Sequence, residues 1–177
     1  MNADYNKSSN PRLSVSIRGY KSTDYLALVI ATCGVGYMPI APGTFGSLVG
    51  VAIFLALTRV ATLSIVVAIL FFTFAGIWAG TRTEELAKRK DPGKIVVDEV
   101  AGQLIALVPL VFVKWSMITV MVSFILFRFF DIVKPYPANR LQELKGGAGV
   151  MCDDLVAGAY AAIIVGVLVY GTQRVNW

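Results

Sequence analysis

The sequence predicts an all-α protein, an integral membrane helical bundle of about five crossings with a broken or re-entrant first segment. Three observations predict it. Of 177 residues, 56% are hydrophobic and 15% charged, and mean hydropathy is +0.70, which is more apolar surface than a soluble core of this size can hide. Several apolar runs reach the roughly twenty residues that cross a bilayer. Lysine and arginine gather on alternate loops, as cytoplasmic segments require.

The elements follow in order. Residues 1–24 open with MNADYNKSSNPR and read as a polar cytoplasmic tail without a removable signal. Residues 25–177 read as one membrane-embedded domain. Tyr25 to Leu57 is apolar but interrupted by MPIAPGTFGS, whose two prolines and two glycines cannot sit in an unbroken helix. It is open as one broken crossing, a re-entrant loop or two short helices. The clearest span is Val60 to Gly80, VATLSIVVAILFFTFAGIWAG, which holds no charge. Ile95 to Val113, Trp115 to Val133 and Val150 to Tyr170 complete the set.

If Tyr25 to Leu57 makes one net crossing, the tail and the loops at 81–94 and 134–149 share a side. Those segments carry twelve basic residues against three, Arg59, Lys114 and Arg174, on the other side. That bias places the first side in the cytoplasm. It accounts for the net charge of +5 without nucleic acid, although such a surface also attracts anionic lipid, about 1 kcal/mol per residue. Nothing in the chain indicates an oligomeric state.

Histidine is absent, which excludes a Ser-His-Asp relay, a phosphohistidine intermediate and His-rich zinc sites. Cys33 and Cys152 fit neither zinc spacing nor a disulfide framework and read as small buried hydrophobes. No C-x5-R loop or D-x-D opening is present.

The acids carry the chemistry. Asp98 and Glu99 lie just inside the cytoplasmic start of one helix, Asp131 just before the cytoplasmic end of the next, and Asp153 and Asp154 open the last. Each is expected about 5 Å from its loop. An ionisable residue at membrane depth is a functional hypothesis by default; for Asp153 and Asp154 the alternative is helix capping. At a helix centre each charge costs about 3 kcal/mol, so five would cost roughly 15 kcal/mol, comparable to a domain's stability. Something positive must neutralise them: Arg128, Lys134, a metal ion or several of these. An all-oxygen layer favours a hard cation such as Mg²⁺.

DEVAG at Asp98 to Gly102 and DLVAG at Asp154 to Gly158 each place a glycine four residues after an aspartate, on its own face. Either the two faces pack through their glycines and bring Asp98 to Asp154, or the likeness is chance. Arg128 and Asp131, three apart, meet on one surface, as an ion pair that lowers insertion cost or with Arg128 and Lys134 receiving phosphate. In the interrupted stretch, Gly43, Thr44, Gly46 and Ser47 offer backbone N–H groups and hydroxyls to an anion, with a helix starting near Gly46. The other reading is a hinge, and the two are compatible.

GVGYMPIAPGTFGSL, DPGKIVVDEVAG, FRFFDIVKPYP and GGAGVMCDDLVAGAYA, in this order, span Gly34 to Ala161 and closely resemble the phosphatidylglycerophosphatase A family. The resemblance implies a multi-pass enzyme of the bacterial inner membrane, its site facing the cytoplasm. It implies Mg²⁺-dependent hydrolysis of phosphatidylglycerophosphate to phosphatidylglycerol and inorganic phosphate. Carried over position by position, it implies functional roles for Asp98, Glu99, Arg128, Asp131, Lys134, Asp153 and Asp154. Combined with the reading of the acids, the expectation is that all five carboxylates serve as catalytic and metal-binding groups. Cys152 and the longer polar N-terminus depart from the family without touching a candidate ligand. The main rival is a small cation transporter or channel. Against it stands the expectation that the helices are uniformly apolar past Gly102 and Gly158, which leaves no permeation path. A scaffold role explains the helices but not the acids.

Overall fold

The computed structural model describes residues 21–175, so most of the expected tail, residues 1–20, lies outside the described residues. The described residues form seven α-helices and no strand: α1 (Ser22–Thr32), α2 (Pro42–Leu57), α3 (Thr62–Ala87), α4 (Val97–Leu107), α5 (Met117–Val133), α6 (Ala138–Leu141) and α7 (Gly147–Val175), with a 3-10 turn at Val108–Phe112 after α4. Two helices, α3 and α7, are long and apolar enough to cross a membrane. The other expected spans are shorter. Pro109 turns the end of the third into the 3-10 segment, because proline removes a helical N–H and crowds the preceding turn.

The interrupted first segment is two helices. Cys33, with φ 46°, ends α1, and Ala41, with φ 48°, precedes Pro42 at the start of α2. The second helix therefore begins four residues before the expected Gly46, at the proline whose constrained φ suits a first helical turn. Both ends of α1 stay at one end of the bundle. Its first turn meets α3 through the Asp24–Arg82 ion pair at 2.8 Å, and Ala31 O accepts from Val96 N, just before α4, at 2.8 Å.

At the centre is α4, with nine of its eleven residues buried. Close approach of its neighbours depends on glycine. A Cβ on Gly158 of α7 would run into the Gly102 carbonyl of α4, and one on Gly102 would come within 2.6 Å of Asp154 O. The two D-x3-G faces thus pack against each other as their spacing suggests. On another face, α2 lays Gly46 on Val96, just before α4, and Gly50 on Gln103 of α4. Outward, α3 and α5 expose Leu63, Leu70, Phe74, Met121, Ile125 and Phe129. Apolar faces this broad suit lipid rather than water.

Candidate active site

Local features of the chain set each acid. Asp98 and Glu99 occupy the first turn of α4, where carboxylates favour the positive helix end. Asp153 and Asp154 do not open their helix. It starts at Gly147 and has no acid in its first turn, so the pair lies about 10 Å along it. The capping explanation therefore fails, and so does the uniform depth of about 5 Å. The early start has a cause in another helix: Gly147 N donates to Thr81 Oγ1 of α3 at 2.8 Å, a side-chain cap supplied from outside the helix. Lys134 ends α5 with φ 47°, a left-handed conformation that costs a side-chain-bearing residue about 1–2 kcal/mol, and Pro135 follows. That exit turns its ammonium toward Asp153.

The five carboxylates divide into two sets. Asp131 Oδ2 lies 2.7 Å from Arg128 Nη1, and Asp153 Oδ2 pairs with Lys134 Nζ. Asp98, Glu99 and Asp154 form no ion pair among the described residues, yet one oxygen of each lies within 4.8 Å of the others. Asp98 and Asp154 are 7% and 3% exposed. Asp98 Oδ1, Glu99 Oε2 and Asp154 Oδ2 are buried without a hydrogen-bond partner, as is Asp153 Oδ1.

Unit charges 4 Å apart repel by about 4 kcal/mol at an effective dielectric constant of 20. A cation would relieve that repulsion among three ionised acids, and this cluster could bind a metal ion. An all-oxygen donor set suits a hard divalent ion. The acids line a cavity of about 580 Å³ among the loops, with Lys90, Lys134 and Gln142 along its wall.

Of the glycine-rich residues, Gly43 and Ser47 join this site. A Cβ on Gly43 would collide with the Glu99 carboxylate and lie 3.2 Å from Arg128 Nη1. Ser47 is fully buried, donates to Gly43 O at 3.0 Å and accepts from Arg128 Nη1 at 3.4 Å. Gly46 and Thr44, also expected to offer groups to an anion, meet other neighbours. Gly46 is taken up in packing, where a Cβ would sit 2.9 Å from Val96 Cβ. Thr44 is half-buried on the first turn of α2, with its N–H bonded to Ala41 O at 3.0 Å.

Sequence reasoning passed over Gln103. It is fully buried one turn past Glu99, and neither amide atom has a partner. The expectation of uniformly apolar helices past Gly102 fails at this residue. The signal was present: Gln103 is the single polar side chain between Val100 and Val113.

An apolar bundle that buries a carboxylate trio beside an arginine and a lysine admits a range of functions that handle a cation or an anionic substrate. Comparison with known proteins narrows it. Residues 28–169 match the family model described as Phosphatidylglycerophosphatase A, and the chain belongs to that family. It is 38% identical over 141 residues to the Phosphatidylglycerophosphatase A of Haemophilus influenzae, covering 77% of this chain and 84% of that one. The Escherichia coli protein of the same name is 32% identical over 133 residues, 75% of this chain and 76% of its own. A Bacteroides thetaiotaomicron protein named "Putative phosphatidylinositol-3-phosphatase" is 40% identical over 157 residues, 83% of this chain and 96% of its own. No solved structure matches the chain.

Proposed function

We propose that this protein is the phosphatase that converts phosphatidylglycerophosphate to phosphatidylglycerol and inorganic phosphate at the cytoplasmic face of a bacterial inner membrane, with Mg²⁺ as its ion. The observation that carries the reading is the division of the acids: three unpaired carboxylates converge beside two cations held by the other two. This is the charge pattern that a divalent ion and a phosphate together would complete.

Five segments make the crossings: α2, α3, α4 with its 3-10 turn, α5 and α7. The sixteen residues of α2 and seventeen of α5 reach about 24 and 26 Å, a mismatch that local thinning of the bilayer absorbs. Residues 1–24 and the loops holding Lys88, Arg89, Lys90, Lys94, Arg140 and Lys145 face the cytoplasm, opposite Arg59 and Lys114.

Asp98, Glu99 and Asp154 hold the ion. When bound, Mg²⁺ supplies positive charge against the phosphate oxygens and makes water a better nucleophile. Arg128 offers a planar fork and Lys134 a point charge to the terminal phosphate, and their carboxylate partners keep both in place before substrate arrives. Gly43 leaves room for the phosphate beside Arg128. Water attacks phosphorus in line with the glycerol oxygen, a carboxylate oxygen of Glu99 or Asp153 takes its proton, the bond from phosphorus to the glycerol oxygen breaks, and that carboxyl returns the proton to the leaving alkoxide. The acyl chains remain against the lipid-facing helices.

The test is phosphate release by the purified protein in detergent, with phosphatidylglycerophosphate or phosphatidylinositol 3-phosphate, under Mg²⁺ or chelator. Release from the first lipid that stops with chelator is expected. Faster release from the second would reassign the substrate. No release with any divalent ion, together with cation flux in liposomes, would favour a transporter.

A further inference from the structure

The mechanism above leaves Gln103 without a task. It is 0% exposed, and Nε2 and Oε1 both lack a partner. A primary amide buried without hydrogen bonds costs on the order of 1–3 kcal/mol by protein measurements, and an apolar residue of equal volume would avoid that cost. Its surroundings show where it acts. Gln103 lies four residues after Glu99, on the same face of α4. Both residues sit under α2: a Cβ on Gly46 would be 3.4 Å from Glu99 Cβ, and one on Gly50 would be 3.0 Å from Gln103 Cβ. Glu99 Oε2 is itself buried and orphaned. One helical turn therefore holds a carboxylate oxygen, an amide donor and an amide acceptor, all buried and without a partner among the described residues.

We infer that Gln103 is a positioning residue that shares a buried water with Glu99. The water donates to Glu99 Oε2 and to Gln103 Oε1 or accepts from Nε2, which meets the two to four polar partners such a water needs. Through it the amide sets the orientation of the Glu99 carboxyl toward the trio, as outer partners of ligating carboxylates do. Gln103 touches neither substrate nor reacting atoms. The inference rests on the phosphatase reading above.

Gln103→Met removes both amide atoms at similar volume. The expected result is an unfolding temperature equal to or above that of the native protein, with kcat reduced about 10- to 100-fold and KM within about threefold, since substrate contacts are untouched. Native kcat in a folded Met variant overturns the inference, as does an equal loss through KM alone. If the Met variant does not fold, ordered solvent in a high-resolution structure of the native enzyme decides. A water within hydrogen-bond reach of both Gln103 and Glu99 supports the inference, and an amide bonded directly to protein groups overturns it. Absence of phosphatase activity in the native protein itself would instead sink the functional reading, so the two failures are distinguishable.

Discussion

Asp24 and Asp154 are buried to nearly the same degree, 4% and 3% exposed, and they differ in what their oxygens meet. Asp24 accepts from Lys21 N at 2.9 Å through one oxygen and from Arg82 Nε at 2.8 Å through the other. Asp154 leaves Oδ2 without a partner and faces Asp98 and Glu99 instead of a cation. The first is a tie between α1 and α3, complete as it stands. The second is held beside two other acids, an arrangement that a positive charge would relieve. Burial therefore does not distinguish these two acids, whereas satisfaction of the carboxylate does.

The sharpest way to break that comparison is to neutralise each acid in turn. Asp154→Asn removes a proposed ligand and relieves repulsion within the trio. Phosphate release should fall by about a thousandfold or more, the range seen when a group essential to transition-state charge is lost. The variant should still insert, elute as the native protein does, and unfold at the native temperature or above, because like charges have been reduced. Full activity in this variant would remove Asp154 from the site.

Arg128→Lys sharpens the comparison from the side of the cations. A lysine retains charge but loses the planar guanidinium, whose Nη1 reaches both Asp131 at 2.7 Å and Ser47 at 3.4 Å. A loss of about 100-fold in kcat/KM is expected, measured with saturating Mg²⁺. A loss below about threefold would show that charge alone suffices there. Gly158→Ala should act more weakly on chemistry and visibly on stability. Its Cβ presses on the Gly102 carbonyl, so overpacking of about 1–3 kcal/mol should lower the unfolding temperature. Activity should drop about tenfold as Asp98 and Asp154 are moved apart. A native-like variant would mean that the D-x3-G contact is looser than the structure has it.

Much of this was legible before the fold. Long apolar runs, one of them free of charge, marked the helices, Pro39 and Pro42 marked the break between α1 and α2, and two glycines placed four residues after aspartates anticipated the contact of α4 with α7. What one sequence could not reveal is rotation. Whether Asp131 or Asp154 obtains a cation depends on how far each helix turns about its axis, and that is set by packing. The start of α7 illustrates the same limit, since the side chain that caps Gly147 belongs to Thr81, 66 residues earlier. Gln103 was missed for a different reason. An uncharged side chain in an apolar run attracts no electrostatic argument until both its amide atoms are seen to be buried and unpaired.

Asp24→Asn is the smallest expected effect on catalysis and the control for all the others. The amide keeps one acceptor for Lys21 N or Arg82 but turns an NH₂ toward the second of these donors. The α1–α3 tie should weaken and the unfolding temperature should fall by a few degrees. Arg82 retains Glu85 at 2.7 Å, so its charge is not stranded. Both ends of α1 sit at the active-site end of the bundle, yet none of its residues lines the acid-walled cavity, and kcat and KM should stay within about twofold of native. If activity instead collapsed along with Asp154→Asn, the contrast between satisfied and unsatisfied carboxylates would lose its meaning. The placement of α1 would then have to be counted among the supports of the catalytic trio.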